Sequence, residues 1–194
     1  MNEACRQLAQ WQSEGLGELF VAVNLSPVQF RRGTVEEVVH NALQRSGLQA
    51  HHLELEITES TLVHDSPQFM RSLQNLKALG VKFSIDDFGT GYSNLSYLQR
   101  LAVDKVKIDQ SFVMNLQNEP QKQSIVNAII QMARSMNLLT TAEGIEDEGA
   151  RDTVLKLGCG LGQGYYFSRP LPAEHFHQLL SESQASQPSP AQAN

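Results

Sequence analysis

The chain has 194 residues, enough for one sizeable core and too few for two comfortable domains, and its 41% hydrophobic and 19% charged content is that of an ordinary globular protein. A net charge of −6 excludes a nonspecific nucleic-acid binder, which needs basic surface, so no DNA or RNA polymer is expected as partner. An acidic pocket can still accept a phosphate ester once divalent cations reverse its field.

The first residues, MNEACRQLAQWQSEG, carry no basic segment followed by an apolar run, and no later stretch reaches the roughly 18 apolar residues of a spanning helix. Residues 2 to 14 read as a helix with Cys5, Leu8, Ala9 and Gln12 on one side, ended by Gly15 and Gly17. The apolar run Leu19 to Val23, followed by Asn24, suits a strand buried on both faces. Thr34 to Arg45 spaces Val35, Val38, Val39, Ala42 and Leu43 as a helix that Gly47 terminates. Leu53 to Ile57 is a second strand. Ser66 and Pro67 then read as N-cap and first turn of a helix whose stripe is Phe69, Leu73, Leu76 and Leu79.

Val81 to Ile85 is a third strand, running into Asp86 and Asp87. After the loop FGTGYSNLS come a short helix near Tyr97 to Leu101 and a strand from Lys105 to Ile108 that ends at Asp109. A helix from Gln121 to Met136 spaces Ile125, Ile129, Met132 and Met136 on one face. A fifth strand, Leu138 to Ala142, leads to Glu143, a further helix runs to about Leu157, and a last strand spans roughly 163 to 167. This regular alternation predicts an α/β fold with a parallel sheet covered by helices. An open doubly wound sheet can use six strands; a (β/α)8 barrel needs eight and about 250 residues, and would be short here by roughly two strands. The segment 181–194, SESQASQPSPAQAN, is polar and proline-containing and is expected to form a disordered tail to a domain over 1–180.

Ligands in parallel α/β folds sit beyond the carboxyl ends of the strands, where this sequence places Asn24, Glu56, Asp86, Asp87, Asp109, Glu143 and Glu146. Carboxylates gathered on one rim raise one another's pKa unless something positive holds them, and magnesium or manganese suits oxygen ligands of this kind. Neighbouring side chains on a strand face opposite ways, so Asp86 and Asp87 reach one site only if the strand ends or bends there; the alternative is that Asp-Asp before glycine is turn chemistry. Asn24 reads as an amide ligand or as a turn cap with Ser26. Glu56 shares a strand face with Glu54, and Glu54 is set against a helix edge. Lys107 reads as a site lysine that stabilises phosphate charge or as a surface lysine, and one of Lys105 or Lys82 is expected at the surface. The loop from Gly89 to Ser93 lacks the GxxxxGK[ST] pattern and reads as a lid joined to the aspartate pair. The six histidines show no metal-ligand spacing. Cys5 and Cys159 belong to no CxxC pair, and their use fits a reducing compartment.

The segments NLS at Asn24, ELEITES at 54–60, DDFGTGYSNLSYL at 86–98, DKVKIDQSFV at 104–113, AEGIE at 142–146 and GQGYYFSRP at 162–170 together resemble the EAL domain, the bacterial cyclic di-GMP phosphodiesterase family. The resemblance implies an incomplete (β/α)8 TIM-like barrel with about six of eight strands, and hydrolysis of cyclic di-GMP to linear pGpG with Mg2+ or Mn2+, two ions in the intact domain. It implies that Asn24, Glu56 and Asp86 bind the first metal, that Asp87 and Asp109 surround the second, and that Glu143 is a ligand. Lys107 would be the site lysine, Glu146 a supporting carboxylate, Gln163 a residue near substrate or water, and Glu59 the holder of the DFGTG loop. It also implies a homodimer, a cytoplasmic location, and sensor or diguanylate cyclase domains, even a membrane anchor, in a longer parent. One departure stands at the front: the Glu-Ala-Leu strand, with its metal ligand and an arginine for the substrate phosphate, is absent, together with the strand before it. Activity is therefore in question for these 194 residues, and the alternative is a catalytically inactive module that binds cyclic di-GMP or a protein.

Overall fold

The structure, a computed structural model, describes residues 1–31, 33–59, 61, 67–91, 98, 101 and 103–185. The expected N-cap at Ser66, most of the short helix near Tyr97 to Leu101, and residues 186–194 of the expected disordered tail lie outside the described residues, whereas 181–185, the start of that expected tail, are helical. Helix α1 (Asn2–Ser13) precedes strand β1 (Val21–Asn24), and α2 (Pro27–Arg31) and α3 (Val35–Ser46) lead to β2 (Leu53–Thr58). Helix α4 (Pro67–Ala78) connects to β3 (Lys82–Phe88), and β4 (Lys105–Ile108) follows. Then come α5 (Gln110–Val113), α6 (Pro120–Ser135), β5 (Leu139–Ala142), α7 (Glu148–Lys156), β6 (Leu161–Gly162) and α8 (Ala173–Ala185).

All six strands pair in parallel and in chain order, β1 to β6. This order decides between the two architectures open at the sequence level. A doubly wound sheet reverses its strand order at a switch point, whereas consecutive neighbours throughout are the arrangement of a (β/α) barrel wall. Among the described residues the fold is an incomplete barrel of six strands.

Strand alternation separates two environments. Leu53, Leu55 and Ile57 of β2, Phe83 and Ile85 of β3, and Val106 and Ile108 of β4 are wholly buried and form one apolar cluster with the helices outside the sheet. The intervening positions are Glu54 and Glu56, Ser84 and Asp86, and Lys105 and Lys107, so the concave face is polar. A barrel interior is ordinarily packed with branched apolar side chains, and this one is not. Of the two candidates for the surface position, Lys105 is the buried one: its Nζ lies 2.7 Å from Glu54 Oε2, and both side chains are buried inside the wall. Lys82 does stay at the surface, paired with Asp104, which also accepts from Lys77 and from the Phe83 amide.

The helices pack as their apolar periods direct, with one rotation. Helix α6 buries Val126, Ile129, Ile130 and Ala133 and leaves Ile125 outside, so its contact face is turned from the expected stripe toward the adjacent pair Ile129 and Ile130. The last strand is also displaced: β6 is Leu161–Gly162, and the segment after it turns away to form a loop. Gly164 explains the turn, because a Cβ there would fall 2.1 Å from the Ile145 carbonyl oxygen. Backbone lies against backbone at that point, and the chain cannot continue as a pleated strand carrying side chains.

Candidate metal centre

The carboxyl ends of the strands form the site. At the end of β3 the register with β4 slips: Ile85 pairs with Val106 and Phe88 with Ile108, so Asp86 and Asp87 together stand opposite Lys107 alone. This is a β-bulge, which bends the strand and re-aims a side chain. Asp87 takes the left-handed conformation (φ 55°), which aspartate tolerates better than most residues. The bulge solves the alternation problem, and Asp86, Asp87 and Glu143 each offer a carboxylate oxygen within 4.8 Å of the others.

Lys107 is the fixed centre of the cluster. Its Nζ contacts Glu56 Oε1 at 2.8 Å, Asp86 Oδ1 at 2.9 Å and Glu143 Oε1 at 2.8 Å, bridging β2, β3 and the end of β5. Burial alone would pull the ammonium pKa down, but hydrogen bonds to Glu143, Glu56 and Asp86 outweigh it and the net shift is upward. The lysine is charged at any physiological pH. Burial raises the Glu143 pKa, Lys107 opposes this, and Asp86 and Glu56 add to the rise. Asp87 is raised by desolvation and by its neighbours Asp86 and Asp109. One ammonium thus faces three carboxylates, with Asp87 beside them, and the cluster carries excess negative charge.

Asp87, Asp109, Glu143, Glu146 and Gln163 line a single cavity of about 320 Å³, together with Gln110, Gly144, Gly164 and Tyr165. Asp109 is the N-cap of α5, with Oδ1 accepting from the Ser111 amide at 3.0 Å. Gln163 is held by backbone bonds on both sides, its amide to Ala142 and its carbonyl to the Ile145 amide. Glu59 stands apart from the cavity: its Oε2 accepts from the amides of Gly89 (2.9 Å) and Gly91 (3.2 Å), tying the loop after the bulge to the end of β2. Asn24 ends β1 in register with Glu56 and is exposed.

Gln110, Gly144 and Tyr165 were not singled out from the sequence. A signal existed for Gly144, since a glycine after the carboxylate of AEG implies close approach or positive φ. Its φ is 70°, and a Cβ would meet Gln110 Cβ at 2.5 Å.

The donor set is all oxygen, clustered, and more negative than its one lysine neutralises, which fits a hard divalent cation. Among the described residues Asp86, Asp87 and Glu143 form a group that could hold one. Fold and site together are those of a parallel barrel wall whose carboxyl-end rim gathers acids around a buried lysine.

Comparison with known proteins agrees. A family model described as EAL domain matches residues 1–170. The chain is 44% identical over 181 residues to the bifunctional diguanylate cyclase/cyclic di-GMP phosphodiesterase MucR of Pseudomonas aeruginosa, covering 93% of this chain and 26% of that protein. The solved MucR phosphodiesterase in complex with c-di-GMP superposes with a TM-score of 0.86 at 43% identity, over 90% of this chain and 71% of that one. The EAL domain of Mycobacterium smegmatis DcpA gives 0.88 at 39% identity, over 93% and 82%. Klebsiella pneumoniae BlrP1, solved with manganese and cyclic di-GMP, gives 0.76 at 31% identity, over 87% and 44%. The chain belongs to the EAL domain family. It spans about a quarter of the length of MucR.

Proposed function

We propose that this chain is a metal-dependent phosphodiesterase domain that hydrolyses cyclic di-GMP to linear pGpG. The observation that carries the reading is the bulge at Asp86 and Asp87, which aims two adjacent carboxylates at Glu143 beside a lysine that is itself held by three acids. Relatives named as cyclic di-GMP phosphodiesterases, and neighbours solved with that dinucleotide, supply the substrate class.

Mg2+ or Mn2+, two ions in the working site, would be held by Asn24, Glu56 and Asp86 on one side and by Asp87 and Asp109 on the other, with Glu143 as a further ligand. When bound, such ions lower the pKa of a water and neutralise phosphate charge. The protein's own residues do the rest. Lys107 holds Glu56, Asp86 and Glu143 at fixed separation and sets its positive charge among the rim acids, where it counters the charge of a bound phosphate. Gln163 and Glu146, which line the same cavity as Asp87, Asp109 and Glu143, orient water and substrate. Glu59 fixes Gly89 and Gly91, which directly follow the aspartate pair in the chain. Water adds across one P–O bond, its oxygen going to phosphorus and a proton to the departing ribose oxygen.

We place the reaction in the cytoplasm, in keeping with two buried free cysteines, and as one part of a longer protein with sensor or cyclase domains, acting as a homodimer. Among the described residues no helix is long and apolar enough to cross a membrane. The test is incubation with cyclic di-GMP and Mn2+, resolved by chromatography. Linear pGpG that disappears with a chelator is expected. Intact substrate from a folded, metal-loaded chain overturns the proposal.

A further inference from the structure

Beneath the metal centre lies a second ion pair that the proposed chemistry does not use. Glu54 and Glu56 stand two apart on β2, and Lys105 and Lys107 two apart on β4, all on the concave face. The upper lysine serves the site; the lower one is paired with Glu54 at 2.7 Å, both side chains at most 7% exposed. Phe20 covers Lys105, the cation 4.4 Å from its ring centroid. Ser84, on the intervening β3, is in register with Glu56 on one side and Lys105 on the other, and its short side chain leaves Lys105 room to reach across β3 to Glu54.

Stability does not explain this pair. A buried ion pair replaced by apolar residues of similar volume is commonly as stable or more so. Its position does explain it: successive same-face residues on a strand are separated by roughly 7 Å, so any unbalanced charge in the lower layer acts directly on the upper one. An unpaired Lys105, two residues before Lys107 on the same face of β4, would repel a cation at the rim. We propose that Glu54 and Lys105 are positioning residues whose mutual neutralisation keeps the floor of the site uncharged, so that the rim acids keep their full attraction for divalent metal.

This inference rests on the metal-site reading, and the test separates the two. Mn2+ binding is measured by isothermal titration calorimetry on the unsubstituted chain, Glu54→Leu, Lys105→Met and the double variant. Glu54→Leu leaves an excess cation and is expected to weaken binding on the order of tenfold. Lys105→Met breaks the same pair without leaving a cation and does not weaken it. The double variant, which restores neutrality while still lacking the pair, returns to within about threefold of the unsubstituted chain, as charge balance requires.

A purely structural pair would behave otherwise: the double variant would bind as poorly as Glu54→Leu, and that result refutes the inference. Weakening by Lys105→Met equal to that by Glu54→Leu refutes it as well. If Glu54→Leu does not fold, the double variant decides, because an apolar replacement for a buried pair is the substitution expected to fold, and a tenfold loss there overturns the inference. Absence of Mn2+ binding by the unsubstituted chain refutes the metal-site reading and this inference with it; binding with no difference among the variants refutes the inference alone.

Discussion

Replacing Lys107 by methionine removes the cation that Glu56, Asp86 and Glu143 share while nearly preserving side-chain volume. The lysine side chain is 6% exposed and its partners Glu56, Asp86 and Glu143 are 8%, 14% and 16% exposed, so solvent screens these contacts little. At separations near 3 Å and an effective dielectric of about 20, each pair attracts by roughly 5–6 kcal/mol before desolvation is charged against it. Desolvation cancels most of that sum, and loss of one partner from a buried pair costs about 3–5 kcal/mol in practice. In a domain of this size the loss lowers Tm by on the order of 10 °C. Because the orphaned groups are carboxylates, millimolar Mn2+ should recover part of the loss in Lys107→Met and recover more than it adds to the unsubstituted chain. Thermal unfolding followed by circular dichroism, with Mn2+ and with chelator, reads both effects. A drop below about 1 kcal/mol, or one that Mn2+ leaves unchanged, would refute the view that Lys107 and a divalent cation balance the same charges.

Glu59→Leu removes the acceptor for the amides of Gly89 and Gly91, so their hydrogen exchange should accelerate by at least tenfold, since each charge-assisted bond is worth about 1.5–3 kcal/mol; unchanged protection would rule out its role as the loop's anchor. Gly144→Ala forces a Cβ against Gln110 at a left-handed position and should cost about 1–3 kcal/mol and displace the segment carrying Glu143 and Glu146, which a urea melt and Mn2+ titration together report. The Asp87 and Glu143 pKa values are raised, so protons compete with metal at higher pH than at ordinary carboxylates: Mn2+ affinity should begin to fall with pH above the usual carboxylate range, and a decline confined to below about pH 4 would contradict the cluster. Asp104 shifts the other way, since hydrogen bonds from Lys77 and Phe83 outweigh its burial. Its stabilisation is present above the unfolded carboxyl pKa of about 3.9 and is lost as pH falls through the lower folded value, so Asp104→Asn should flatten the acid limb of a stability profile.

Much of this molecule was legible in residue order. The strand ending at Asp109 has its expected bounds, and the acids at strand ends fall on one rim because parallel strands all deliver their carboxyl ends to the same side. The aspartate pair posed a geometric question that period-2 alternation raises and cannot answer; the answer is a register slip between two strands, a property of pairing rather than of either segment. Alternation alone leaves open which of Lys105 and Lys82 faces solvent; the fold decides it, because the concave face provides Glu54 opposite Lys105 and so makes burial of that lysine tolerable. The segment Gln163 to Phe167 reads as a strand by composition, yet its glycine lies too close to the Ile145 backbone for one. Gln110 and Tyr165 escaped notice because a polar residue after a cap and an aromatic in a loop carry no periodic signal; only the cavity brings them together with the acids.

The most direct test of the account is anomalous diffraction at the manganese edge from crystals grown with Mn2+. The account predicts an anomalous peak within coordination distance of the carboxylates of Asp86, Asp87 and Glu143, with Lys107 still holding Glu56. Fully ordered carboxylates with no peak among them, at a concentration that loads other EAL domains, would contradict it.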